Sequence, residues 1–593
     1  LQPERRKRGL ALDGRVAFDE KMIVPDELVG GGRRVNHENQ NRQKKHPAPA
    51  GNARETGGLH ARDLPEDRQR EKFEESDFIF VFAAPVVVRK NGRMNVDSHF
   101  ERRPIFLAAW AILIAAAAFC YAPCLEGPFV YDDATLVRDN LRIRSFSNAM
   151  HWFGTTLLAD EESSRYYRPL LLASFSVDHA VWGPNTFGYH LLNLLWHLAN
   201  VALMAALARR IGWSRGAAYL AAWIFALHPL HAQAVCYISG RGDVQFIGLS
   251  LLACHAFLNG WERRGRPIFW NVAGALLASA AILTKEMGAL VLVWVPLLAW
   301  LKGVPKKTWL TSIGFLAAGA LLVGIARLSA SDPSPLREAP VPFPPVLHVH
   351  LFFRAIGFYA AHFAAPIVLA LDRSIVAPDR LNHFYFTLGI LIFATTALAA
   401  IQLRRAHRRH ALFCLAWAVA GFLPVSNVIR LSATAADHWL YPASIGLAWG
   451  IALAVSRLLS KARPIAGAMV LLLIAALVGF WGVRLHARSG DWSSGLALYQ
   501  ANLAQGVAST RILNNYGLEL AQNRRYAEAL SCFEQAVRMD PRNLSARANH
   551  GFTLFLTGHE EPGRAELRRL TQEAPAHQQG WVAQILQAGW HLL

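Results

Sequence analysis

Asp132 and Asp133 stand side by side in Gly127-Pro128-Phe129-Val130-Tyr131-Asp132-Asp133, just beyond the first apolar run, Ile105–Tyr121. A charge at the centre of a bilayer costs roughly 3 kcal/mol or more, so this pair belongs at an interface or in a wet cavity. Consecutive side chains on extended backbone point to opposite sides. One acid can therefore face a reacting centre while its neighbour binds or caps. The plainer alternative is that Asp133 or Asp139 only caps a short helix over Thr135–Arg138. Desolvation and a like-charged neighbour both raise a carboxylate's pKa, which suits it to take a proton from an alcohol.

Four more clusters carry chemistry. Tyr167-Arg168-Pro169 places a guanidinium beside a proline that fixes the backbone. Gly240-Arg241-Gly242-Asp243 offers a guanidinium on open backbone, suited to a phosphate, or a local ion pair capping the next helix; His228-Pro229-Leu230-His231 lies just upstream. Lys285 and Glu286 follow Thr284 between two apolar runs with almost no loop, either as a phosphate contact or as a self-neutralising turn. Asp437-His438-Trp439 opens a late apolar run. Two histidines three apart suggest a metal pair, but Pro229 prevents a regular helix upstream and a third ligand is missing. Ligand spacing thus gives no support for a divalent metal, which stays open, and the residues single out no cofactor.

The elements that must position these groups are membrane helices. Of 593 residues, 53% are hydrophobic and only 17% charged, with apolar runs near the ~20 residues that a helix needs to cross hydrocarbon. The expected fold is all-α, a polytopic bundle. Its net charge of +19 sits in clusters between spans and in the N-terminal tail. Such clusters set topology, and no nucleic-acid partner is expected. After Ile105–Tyr121, the runs are Tyr189–Ala208, Ala217–Leu227, Val244–Leu258, Ile268–Leu283, Met287–Leu301, Trp309–Leu328, Phe384–Leu403, Ala411–Phe422, Trp439–Leu458 and Pro464–Val483. Eleven spans place every basic loop in the cytoplasm if Leu351–Leu371, which contains Arg354, His362 and Pro366, stays on the outer side without crossing. Twelve spans with one basic loop outside is the alternative. In the eleven-span reading the N-terminus is cytoplasmic, the C-terminus is extracytoplasmic, and all five polar clusters share the outer face.

Residues 1–100 read as a disordered basic tail, with translation starting at Met94. The transmembrane domain covers 101–488, with a first outer loop over 122–188. The cysteines show no metal-ligand spacing, and a disulfide between Cys124 and Cys236 outside the membrane stays open. Over 489–593 the pattern changes. Asn515-Tyr516-Gly517-Leu518 returns as Asn549-His550-Gly551-Phe552, and Asp540-Pro541 as Ala574-Pro575, both after 34 residues, the period of the tetratricopeptide repeat. Trp492–Ala504 and Gln578–Leu592 are expected as flanking helices. Such arrays bind peptides or proteins; the alternative is a structural cap.

At Phe129-Val130-Tyr131-Asp132-Asp133, Tyr167-Arg168-Pro169-Leu170, Trp182-Gly183, Gly188-Tyr189-His190, Asn193, His197, His228-Pro229-Leu230-His231, Gly240-Arg241-Gly242-Asp243, Lys285-Glu286 and Leu440-Tyr441-Pro442-Ala443-Ser444, the chain resembles a known family. It is similar to the transmembrane-and-tetratricopeptide-repeat protein O-mannosyltransferases and their bacterial relatives, within the GT-C glycosyltransferase superfamily. The resemblance covers about residues 103 to 575. It implies a multi-pass inner-membrane enzyme that moves a sugar, usually mannose, from a polyprenyl-phosphate donor to a Ser/Thr hydroxyl on an acceptor protein outside the cytoplasm. It further implies that Asp132, with Asp133 beside it, is the catalytic base. Arg168, Arg241, Lys285, His228 and His231 are the candidates for the leaving phosphate; Glu286, Asp243, Tyr167, Asp437 and His438 are further site candidates. Gln233 stands where an acidic residue is typical, and His438 where Arg is typical. Competing readings are an O-antigen ligase or oligosaccharyltransferase-like enzyme using Ser329–Asn382, and a non-enzymatic scaffold.

Overall fold

The computed structural model describes residues 103–574 apart from 158–165, 263–265, 331–344, 374–379, 403–404 and 429–434, together with residues 579 and 582. The expected tail over 1–100 and, apart from residues 579 and 582, the closing helix over Gln578–Leu592 lie outside the described residues. Over their described residues, all eleven expected apolar runs are helical. The first is α1 (Arg103–Tyr121); after the loop helix α2 (Pro169–Trp182) come α3 (Thr186–Arg210) and α4 (Arg215–Leu227). Then follow α5 (Arg241–Glu262), α6 (Pro267–Thr284), α7 (Val291–Lys302) and α8 (Lys306–Ser329). Beyond α9 (Pro345–Ala364) lie α10 (Arg380–Gln402), α11 (Arg405–Phe422), α12 (Tyr441–Lys461) and α13 (Pro464–Asp491). Among the described residues, eight helical segments are long and apolar enough to cross a membrane, and the chain is a multi-pass membrane protein. Helices α4 and α7, of 13 and 12 residues, fall short of that length, and α11 opens on Arg405, Arg408 and Arg409.

Local chemistry explains the boundaries. Asn185 and Ser214 accept first-turn amides of α3 and α4 through their side chains, satisfying donors that a helix start leaves open. Pro267 and Pro464 begin α6 and α13, where their missing N–H costs nothing. Gly303, in the left-handed region at φ 65°, closes α7. Without a hydrophobic drive between helices in lipid, small residues let backbones approach. A Cβ on Gly446 would stand 2.5 Å from the Cys414 carbonyl, drawing α12 onto α11. Trp294 and Trp417 stack at 4.3 Å between α7 and α11, with Trp449 edge-on to Trp417 at 5.0 Å. Leu321, Leu322, Leu391, Leu398, Leu472 and Leu473 are more than half exposed on the outside of the bundle, the surface that lipid covers.

Within Leu351–Leu371 the chain is helical as far as Ala364: α9 runs for 20 residues and is not one of the eight segments long and apolar enough to cross. It packs on α10 where a Cβ on Gly357 would strike the Tyr385 carbonyl and one on Gly389 the Phe353 carbonyl. Its charge is tolerated because Arg354 is buried at 3% exposure rather than set against lipid. Only past Ala364 does the chain turn into a non-helical strap, 365–373, whose Arg373 pairs with Ala435 in an isolated bridge.

The C-terminal unit is a helical array: α14 (Gly495–Ala504), α15 (Thr510–Gln522), α16 (Tyr526–Met539), α17 (Leu544–Leu556) and α18 (Glu560–Glu573). Its repeat is physical. A Cβ on Gly517 would strike the Phe533 ring, and one on Gly551, 34 positions later, would stand 2.8 Å from Leu567, so each glycine lets the second helix of its repeat close on the first. Asn549 on α17 donates to Asn514 on α15 at 2.9 Å, joining the two repeats. Trp492, Leu498, Tyr499 and Ile512 belong to the same apolar core as the membrane helices, so the array is seated on the bundle.

Candidate active site

The first loop brings the acid pair to the end of the bundle where the array is seated. Gly127 fits under the Trp492 carbonyl with no room for a Cβ, and its own carbonyl meets His190 Nε2 at 3.1 Å. Beyond it Tyr131 takes φ 60°, a region that a bulky residue occupies only where its surroundings hold it there. Two flanking contacts do so: its hydroxyl accepts a hydrogen bond from Arg511 of α15, and its ring lies edge-on to Tyr237 at 6.0 Å. The Tyr237 hydroxyl in turn accepts the Asp132 amide at 3.2 Å.

The two acids then separate by environment. Asp133 is fully buried. Oδ1 accepts the Ser239 amide at 2.7 Å and the Ser239 hydroxyl at 2.6 Å, while Oδ2 accepts the Val130 amide at 3.2 Å. Burial pushes its carboxyl up to about 7 against the pull of those donors, with Asp132 adding to the rise. Its contacts tie the loop to the start of α5 and are not those of a group facing a ligand. Asp132 is exposed, and its carboxylate lies in the field of Arg511 and Asp372. Asp372, Tyr237 and Arg511 were not expected from sequence.

A second cluster gathers around Asp243. Lys285 Nζ reaches Asp243 Oδ1 at 2.6 Å, and His438 Nε2 lies 4.0 Å from Oδ2. Arg168 grips Glu286 in a fork, Nε to Oε1 at 3.0 Å and Nη2 to Oε2 at 2.8 Å, over the Tyr166 ring at 4.4 Å. Arg168, Lys285 and His438 keep side-chain exposures of 16%, 12% and 18%, so three basic side chains from distant segments reach one surface. The His438 amide donates to Gln233 Oε1, and Gln233 Nε2 donates to the Leu371 carbonyl at 2.9 Å. Gln233 thus joins this cluster to the strap that carries Asp372. The strap is fixed from other sides as well: Asp437 accepts the Ala370 amide, and Asn502 and Gln505 of α14 accept those of Leu371 and Leu369.

Three of the phosphate candidates are placed differently from the expectation. Arg241 is fully buried and paired with Asp178 of α2 at 2.6 Å, with further bonds to Asn193 and the Tyr189 carbonyl. Its flanking glycines serve packing rather than openness: a Cβ on Gly240 would stand 2.8 Å from the Ala234 carbonyl. His228 and His231 are buried too, one bonded to the Phe363 carbonyl, the other between the Phe225 carbonyl and Ser444. Burial pushes His228 down to about 4 and His231 well below its usual value, so neither offers a positive charge. Tyr167 spends its hydroxyl on the Phe153 carbonyl at 2.9 Å, and Asp437 is buried at 3% exposure, accepting the strap's Ala370 amide. Cys124 and Cys236 approach within hydrogen-bonding reach as free thiols. Among the described residues, no cluster of three or more His, Cys, Asp or Glu has the geometry of a metal site.

The dolichyl-phosphate-mannose-protein mannosyltransferase family matches residues 134–326, and the tetratricopeptide repeat matches 510–543. Protein O-mannosyl-transferase F38B6.6 of Caenorhabditis elegans is 23% identical over 72% of this chain and 62% of its own length. Protein O-mannosyl-transferase TMTC1 of Homo sapiens is 24% identical over 75% of this chain and 56% of its own. The chain therefore spans less than two thirds of these relatives. The crystal structure of ArnT from Cupriavidus metallidurans in the apo state aligns over 79% of this chain and 81% of its own at 18% identity with a TM-score of 0.36. With the mannosyltransferase match over most of the first loop and the helices beside it, and the repeat match behind them, the chain is similar to the protein O-mannosyl-transferases.

Proposed function

We propose that the protein is a glycosyltransferase that moves a sugar, mannose by its relatives, from a polyprenyl-phosphate donor to a Ser/Thr hydroxyl on the extracytoplasmic side of the membrane. The observation that carries this reading is the exposed Asp132 on a loop otherwise locked in place, at the end of the bundle where Arg168, Lys285 and His438 also converge. The relatives' names and the family match support the same chemistry.

An acceptor hydroxyl is a poor nucleophile, so a carboxylate must take its proton as the oxygen attacks the anomeric carbon. Asp132 is that base. As the new C–O bond forms, the bond from the anomeric carbon to the donor phosphate oxygen breaks, and the lipid phosphate leaves with one more negative charge. Attack opposite the leaving phosphate inverts the anomeric centre. Arg168 and Lys285 offset the growing charge, and His438 beside them offers a hydrogen bond; Asp243 and Glu286 keep the two cations oriented until a phosphate arrives. Asp133 holds the loop, and the array presents the acceptor protein.

The test is incubation of the purified protein in lipid nanodiscs with polyprenyl-phosphate-mannose and Ser/Thr-containing peptides, read by mass spectrometry. A hexose added to a peptide hydroxyl supports the reading. No transfer from any lipid-phosphate sugar refutes it.

A further inference from the structure

Arg511 lies in the repeat array, yet its guanidinium reaches into the first loop. It donates to the Tyr131 hydroxyl, sits over the Tyr131 ring at 5.6 Å from its centroid, and stands in the field of both Asp132 and Asp372. Two features make this more than a surface contact. Tyr131 holds a left-handed backbone immediately before Asp132, so whatever fixes Tyr131 fixes the direction in which Asp132 leaves the chain. Asp372 is a second carboxylate, buried at 5% exposure, with Oδ1 lacking a hydrogen-bond partner, and its charge is felt at Asp132. Two like charges in one site hinder each other's ionisation unless a cation stands with them.

We propose that Arg511 is a positioning residue for Asp132, pinning Tyr131 in its left-handed conformation and offsetting the charge of Asp372, so that the repeat array completes the active site. Burial keeps the Tyr131 phenol protonated well above its usual range, so the bond runs from a permanent cation to a neutral hydroxyl. Arg511 is the second residue of α15, two positions after the Ser509 cap that accepts the Ile512 amide. A shift of α15 on binding an acceptor is therefore transmitted to the base through one side chain. The array in this arrangement both docks the acceptor and sets the state of the catalytic loop.

The proposal rests on the transferase reading, and its test has one arm that does not. In the first arm, Arg511→Ala, Arg511→Lys and Tyr131→Phe are compared with wild type in the mannose-transfer assay across pH. Misplacing a reacting group by about 1 Å costs on the order of a hundredfold. Arg511→Ala is expected to lower kcat at least tenfold on that scale, leaving KM for the lipid donor within about twofold. The acid limb of its pH profile should move upward as Asp132 and Asp372 lose their shared cation, and Arg511→Lys should restore the limb but only part of kcat. Tyr131→Phe should lower kcat without moving the limb. In the second arm, hydrogen–deuterium exchange of residues 127–138 is compared between wild type and Arg511→Ala. Faster exchange in the variant, with the membrane helices unchanged, supports the link even if wild type transfers no sugar, an outcome that would refute the transferase reading alone. Unchanged kcat and pH limb in Arg511→Ala, or unchanged exchange over 127–138, overturns the proposal. Should Arg511→Ala fail to fold, the same comparisons with Arg511→Lys and Tyr131→Phe decide it.

Discussion

Replacing Asp178 by asparagine separates a structural Arg241 from a ligand-binding one. The pair is closed off, with side-chain exposures of 0% and 2% and 2.6 Å between nitrogen and oxygen. Removing one partner of a buried ion pair costs about 3–5 kcal/mol, because the remaining charge stays desolvated and uncompensated. Arg241 keeps Asn193 and the Tyr189 carbonyl, and its guanidinium lies 5.1 Å from the Phe175 ring centroid. Those contacts put the expected loss near the lower end, about 3 kcal/mol. Unfolding of the detergent-purified protein, followed by tryptophan fluorescence, would measure it. The double variant Arg241→Met, Asp178→Leu removes both charges and should recover more than half of the loss, since apolar replacements of buried ion pairs are often neutral or better. Folded Asp178→Asn molecules should keep the wild-type KM for the lipid donor. The reasoning is refuted if Asp178→Asn unfolds like wild type while the donor KM rises tenfold or more; Arg241 would then be serving the phosphate.

Two further outcomes follow from the site. Glu286 is 45% exposed and occupies the fork of Arg168, so Glu286→Gln should lower the donor KM about two- to fivefold, the modest value of a partly exposed ion pair; a raised KM would mean that losing the orientation of Arg168 outweighs freeing its fork. Asp133 is raised from 3.8 to about 7, which means that folding favours its protonated form. Its stabilising contribution is full below about pH 4 and is lost as pH climbs through 7. The melting temperature of wild type should fall between pH 5 and 8 with a component that Asp133→Asn lacks, and equal slopes in the two proteins would count against this account.

Much of the site was legible because its chemistry sits in short motifs. Arg168, Asp243, Lys285, Glu286 and His438 each lie next to a predicted helix end, and the helix order alone brings such ends together. Arg241 was misread for a physical reason. Glycines on both sides suggest open backbone, whereas here Gly240 makes room for the carbonyls of Gln233 and Ala234, and the counter-ion Asp178 sits in a loop helix with no spacing relation to it. The histidines 228 and 231 carry the composition of a polar site, but pairing with backbone carbonyls in the core is invisible to pattern. Arg511 had no signal: an arginine after a helix cap in a repeat is ordinarily solvated, and only the docking of the array shows what it meets. In α9 the sequence shows Arg354 and His362 in an otherwise apolar run, but not that the fold buries Arg354.

The claim on which the account turns is that Asp132, and not Asp133, takes the acceptor proton. The direct measurement is the single-turnover rate of mannose transfer from polyprenyl-phosphate-mannose for wild type, Asp132→Asn and Asp133→Asn, each corrected for the fraction folded. General-base catalysis is worth about 10²–10⁴-fold, so Asp132→Asn should lose at least a hundredfold in rate with donor binding intact, while folded Asp133→Asn should lose far less. A wild-type rate in Asp132→Asn, or a greater loss in Asp133→Asn, would contradict the account.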